Sequence, residues 1–76
     1  MGKKVDGKGN EYYDIRNIRI TCIGETWDGE NSGIRIQAYT GKGNQLHKGA
    51  ELPIPDKETA YDLISAIIAV FNLKKE

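Results

Sequence analysis

Everything that usually staples a small protein together is scarce in this chain. There is one cysteine, Cys22, and one histidine, His47, so neither an internal disulfide nor a Cys/His zinc site can be assembled within one copy. Apolar runs stay far below the roughly 18 residues that a membrane-spanning helix requires. A dominant charge is missing as well: eleven Lys and Arg cancel eleven Asp and Glu, which argues against a strongly electrostatic binder of polyanions. The lone thiol, inside Ile18-x-Ile20-x-Cys22, reads as a small core residue of a strand, and a reducing, cytoplasmic setting is expected.

Catalytic constellations are also lacking. Acid–base work needs paired groups whose environments drive their pKa values apart, whereas the carboxylates here fall in turns and on a polar helix face. His47 has no serine or cysteine spaced to form a relay and reads as an exposed strand-edge residue. Gly41-x-Gly43 is too short for a phosphate-binding glycine motif and has no helix directly behind it. No catalytic residue, cofactor or metal is therefore assigned, and an enzyme is not expected.

What is present is one small domain. Seventy-six residues leave room for no more, and a chain of this size buries only about 60% of its unfolded surface. With disulfides and zinc set aside, association of copies is the remaining way to complete a core. Residues 1–10 hold Lys3, Lys4 and Lys8 among glycines with no apolar stretch, and are expected to form a flexible basic arm rather than a signal peptide. Residues 11–76 make the domain.

Within it, Tyr12 to Ile23 favours strand, with a change of parity between Ile15 and Ile18 that requires a bulge or two strands meeting near Arg16-Asn17. Gly24 to Gly33 reads as a turn. Ile34 to Thr40 alternates at period two and is the clearest strand, followed by the Gly41-Lys42-Gly43-Asn44 turn. Leu46 to Ile54 gives another strand, whose end must lie at a sheet edge because Pro53 and Pro55 have no amide hydrogen to donate. Asp56 then caps a helix expected from about Lys57 to Leu73, with Glu58 and Asp62 near its start and Lys74 and Lys75 at its end. The fold class is α+β: an antiparallel sheet of three to four strands followed by one C-terminal amphipathic helix, which covers or flanks the sheet.

The helix is unusually apolar. Ala60, Leu63, Ile64, Ile67, Ile68, Val70 and Phe71 spread over roughly half its circumference, more than one sheet needs to cover. Leu63, Ile64, Ile67, Ile68 and Phe71 are accordingly the expected oligomer interface, with a homodimer the first choice.

If Ile18, Ile20, Ile34, Ile36 and Ala38 face the helix, alternation turns Arg19, Thr21, Arg35, Gln37 and Tyr39 to the other side. Aromatic faces stack bases, and guanidinium groups pair with phosphate, so this set is a candidate platform for single-stranded nucleic acid. It reads equally well as the ordinary polar face of a solvated sheet. Charge is uneven along the chain: residues 34–50 carry three positive charges and no negative one. Lys42, Lys48 and the N-terminal lysines would extend the footprint. Trp27, in a Gly/Asp/Asn-rich turn, either stacks on a base or a partner or folds back to cap the core.

Ile34-Arg35-Ile36-Gln37-Ala38-Tyr39-Thr40, a Gly/Lys turn, Lys48-Gly49-Ala50-Glu51-Leu52 and the capped helix resemble the C-terminal half of the positive-cofactor-four family of single-stranded DNA-binding transcriptional coactivators. The resemblance spans residues 34–73. It implies a small homodimer with the helix in the interface and a curved sheet that carries single-stranded DNA. From the polar sheet face and the basic turn, Arg19, Arg35, Tyr39, Lys42 and Lys48 are the expected contacts, with Trp27 as a candidate stacking residue from a loop that has no counterpart in that family. The alternative is a small protein-interaction or inhibitor module, such as an accessory protein of a mobile element, that binds another protein and no nucleic acid.

Overall fold

The computed structural model describes residues 2–27, 29, 32–39 and 45–74. Five strands, β1 (Lys4–Val5), β2 (Glu11–Ile15), β3 (Ile18–Ile23), β4 (Gly33–Ala38) and β5 (Ala50–Pro53), precede one helix, α1 (Lys57–Leu73). The strands form a single antiparallel sheet in chain order, β1-β2-β3-β4-β5. The fold is thus α+β, with five strands rather than three to four.

Two features raise the number. The change of parity near Arg16-Asn17 is a tight hairpin, with Ile15 opposite Ile18 and Arg16 at φ 56°. Residues expected to be a flexible arm instead supply β1, where Lys4 pairs with Tyr12 and Val5 with Glu11. A closed turn makes that pairing possible. The Asp6 carboxylate accepts from the Lys8 and Asn10 amides, both at 2.9 Å, and Gly9 takes φ 87°, a left-handed conformation that glycine enters at little cost. The bond from the Asn10 amide, chiefly, holds the Asp6 pKa below the usual carboxylate range.

Register sorts the side chains into two faces. Ile20 stands opposite both Tyr13 and Ile36, Ile18 opposite Ile15 and Ala38, Cys22 opposite Ile34, and Leu52 opposite Ile34. This is the isoleucine side. Tyr12, Thr21, Arg35 and Glu51 share one rung of the other side, and Asp14, Arg19 and Gln37 the next. β5 is an edge strand, which agrees with Pro53 at its end and lets Pro53 pair with Gly33 without a donor.

The enclosure of the two faces is the reverse of the usual one. Thr21 and Ile23, the most buried strand side chains, belong to the polar side, at 2% and 5% exposure. On the isoleucine side Val5, Tyr13, Ile15 and Ile18 are all exposed, and so is Cys22, which is therefore not a core residue within one copy. Ile23 is the only buried hydrophobic residue among the described residues.

The helix begins and ends where the caps put it. Asp56 Oδ1 accepts from the Thr59 amide at 2.8 Å and the Thr59 hydroxyl at 2.7 Å, bonds that lower its pKa. Lys74 is the C-cap, while Lys75 lies outside the described residues. Of the two expected placements, covering or flanking the sheet, the first does not occur: α1 lies against no strand among the described residues and buries no residue. Ile64, Ile67, Ile68, Val70 and Phe71 are each more than half exposed, and Leu63 is half-buried. Pairing reaches its end at the bond from the Ile54 amide to the Ser32 carbonyl, 3.0 Å; Pro55, with no amide hydrogen, cannot extend it, and α1 follows beyond the sheet. Among the described residues no helix is long and apolar enough to cross a membrane.

Candidate functional site

A wide-mouthed groove of about 510 Å³ opens on the polar sheet face, lined by Lys8, Trp27, Arg35, Gln37, Lys48, Gly49 and Glu51. β4 supplies its floor: alternation places Arg35 and Gln37 side by side on this face. β5 supplies one wall. Gly49, just before β5, lies so close to β4 that a Cβ there would collide with the Ile36 carbonyl and the Gln37 side chain, so glycine is required there.

Glu51 organises the centre. Arg35 donates to the same carboxylate oxygen, Oε2, from Nε at 3.2 Å and from Nη2 at 2.8 Å. The main-chain oxygen of Glu51 accepts from the Trp27 indole nitrogen at 3.0 Å. That bond fixes the edge of the indole while leaving the residue 74% exposed, so Trp27 does not cap the core. The Gln37 amide donates to the His47 carbonyl at 3.1 Å, which ties down the segment that carries Lys48. Among the described residues Lys8 and Lys48 enter no ion pair.

A second cluster occupies the other end of the same face. Arg19 Nε donates to Asp14 Oδ1 at 3.1 Å and Nη2 to the Tyr39 hydroxyl at 2.5 Å, and that hydroxyl donates to Asp14 Oδ1 at 3.1 Å. The Arg19 guanidinium also lies 3.9 Å from the centre of the Tyr12 ring and 5.5 Å from that of Tyr39, a cation–π arrangement. Burial pulls its pKa down, but the bonds to Asp14 and Tyr39 outweigh this and leave it above the ordinary value. Each group here has its partner inside the cluster.

The expected contacts therefore divide. Trp27, Arg35 and Lys48 converge on the groove, joined by Lys8 and Gln37. Arg19 and Tyr39 hold each other and Asp14, and Lys42 lies outside the described residues. Sequence reasoning passed over Glu51 and Gly49. The parity of Ala50 and Leu52 could have revealed Glu51, since it turns that carboxylate toward Arg35, and opposite charges across a strand pair are a recurring motif. His47 is exposed, and among the described residues no three His, Cys, Asp or Glu side chains cluster as metal ligands would.

Fold and groove together define a small α+β chain with an open, cation-flanked and tryptophan-bearing cleft on one sheet face. No family model, curated protein or solved structure matches the chain.

Proposed function

We propose that two copies of this chain form a sequence-tolerant binder of single-stranded nucleic acid, with the groove on the polar sheet face as the contact surface. The observation that carries this reading is the exposed Trp27 ring held at the rim of a groove that also presents Lys8, Arg35 and Lys48. A nucleobase stacked on such a ring contributes about 1–3 kcal/mol. A base inside a duplex already stacks on its neighbours, so the arrangement favours single strands. Lys8 and Lys48, which enter no ion pair among the described residues, are suited to phosphates, and Gln37 offers hydrogen bonds to sugar or base. The resemblance of residues 34–73 to the positive-cofactor-four family points the same way.

The second copy is called for by the apolar surfaces. The isoleucine side of the sheet exposes Val5, Tyr13, Ile15 and Ile18, and α1 exposes Ile64, Ile67, Ile68, Val70 and Phe71, apolar side chains of the kind that a stable interface buries. One chain covers neither surface with the other. A second copy brings both complements at once, which an unrelated partner would have to supply independently.

Fluorescence polarisation with a labelled single-stranded oligonucleotide tests the reading. Micromolar affinity at low salt is expected, falling with a log–log salt slope of roughly −1.4 to −2.1 if two or three phosphates are neutralised at about −0.7 each. Trp27→Ala and Arg35→Ala should both weaken binding. No micromolar binding at low salt would end the proposal and leave the protein-interaction module as the reading to pursue.

A further inference from the structure

A carboxylate in a groove meant for a polyanion needs a reason. Glu51 lowers the positive potential that Lys8, Arg35 and Lys48 create, so for phosphate alone the groove would work better without it. Both bonds from Arg35 land on Oε2. Among the described residues, Oε1 receives no hydrogen bond from the protein, and the side chain remains 30% exposed. The Trp27 indole is bonded to the main chain of this same residue, so the stacking surface and Oε1 are held as a unit.

We infer that Glu51 reads the edge of the base stacked on Trp27 and gives the groove a preference for guanine, with thymine and uracil disfavoured. The inference rests on the reading of the groove as a single-strand binding site. A carboxylate oxygen only accepts hydrogen bonds. Guanine presents two adjacent donors on its Watson–Crick edge, N1–H and the N2 amine. Cytosine and adenine each present one amine. Thymine and uracil offer a single N3–H between two carbonyl oxygens, which an anionic acceptor repels. Arg35 contributes by fixing the carboxylate, so that Oε1 is oriented before the base arrives.

The experiment uses the full chain and thymine tracts of one length at one low salt concentration. One tract is unbroken; the others carry a single central guanine, cytosine or adenine. Affinity is read from quenching of Trp27, the only tryptophan. One guanine should tighten binding about five- to tenfold over the unbroken tract, in line with the discrimination that paired side-chain–base hydrogen bonds provide, with cytosine and adenine between.

Glu51→Gln sharpens the test. Arg35 should hold the amide oxygen and turn the amide nitrogen outward, replacing an acceptor with a donor. The guanine preference should then disappear or reverse toward thymine, while the unbroken tract binds more tightly because a negative charge has gone. Equal binding of all four tracts by the wild-type chain would overturn the inference while leaving the single-strand reading intact, and this comparison needs no variant. A guanine preference that persists in a folded Glu51→Gln protein would also overturn it and leave Glu51 as only a partner for Arg35. Failure of every tract to bind would remove both readings.

Discussion

Among the described residues Arg16 is the only non-glycine residue with a positive φ, at 56°. It stands at the first position of the two-residue hairpin between Ile15 and Ile18, where glycine is the usual choice in a type II′ turn. Holding an L-residue in the left-handed region costs about 1–2 kcal/mol, part of which a glycine loses again through its freer unfolded chain. Arg16→Gly should therefore raise the melting temperature modestly, whereas Arg16→Val should lower it. Thermal denaturation of the two variants measures the difference directly. Gly49 is the opposite case. Gly49→Ala drives a methyl group into the Ile36 carbonyl, and overpacking of this kind costs typically about 1–3 kcal/mol; both stability and oligonucleotide binding should fall. The break near Arg16-Asn17 was legible as a change of parity, but neither the positive φ at Arg16 nor the close approach at Gly49 could be read from the sequence. An arginine gives no turn signal, and the need for glycine at 49 arises from a strand that is distant in the chain.

The helix was the most legible part of the chain, and its surroundings the least. Asp56 caps the helix after the prolines that end the strand, apolar spacing carries it to Leu73, and the observed bounds are Lys57–Leu73. Such signals are local, so sequence carries them. Whether α1 lies on its own sheet depends on contacts that no periodicity encodes, which is why the sequence left covering and flanking the sheet as alternatives. β1 escaped notice because two residues among lysines and glycines show no alternation. The cap also makes a prediction about pH. The native Asp56 pKa lies below its unfolded value, so the folded chain binds fewer protons there. The stability contributed is complete above about pH 4 and is lost as pH falls through the native value. Helix content followed by circular dichroism should drop in acid, and Asp56→Asn, which keeps a good cap but does not titrate, should remove that part of the drop. The exposed arc carries a further test. Ile68→Asp places a charge in the expected interface without touching the groove. It should yield a monomeric or unfolded chain, and an unchanged mass by light scattering would count against the shared helix.

A chain with one buried hydrophobic residue among the described residues and two open apolar surfaces cannot owe much stability to its own interior. Burial of apolar area is the main favourable term in folding, and here most of the suitable area faces outward. The polar groove is built from β4, β5 and the Trp27 segment, and those same strands carry Ile34, Ile36 and Leu52 on their other side. Anything that covers the isoleucine side therefore also fixes the sheet on which Arg35, Glu51 and Lys48 are mounted. This is why half of the candidate site was legible and half was not. Arg35, Lys48 and Trp27 announce themselves by type and position, while the closure of Arg19 on Asp14 and Tyr39 depends on how three strands register. If copies complete each other, folding and association are one equilibrium, and stability must depend on concentration. Each tenfold increase in protein should raise the melting temperature by about 4 °C for a dimer of this size. Calorimetry over a hundredfold range, with sedimentation at the same concentrations, measures both quantities. A melting temperature that stays constant while the mass remains that of one chain would mean that the sheet and helix stand without a second copy.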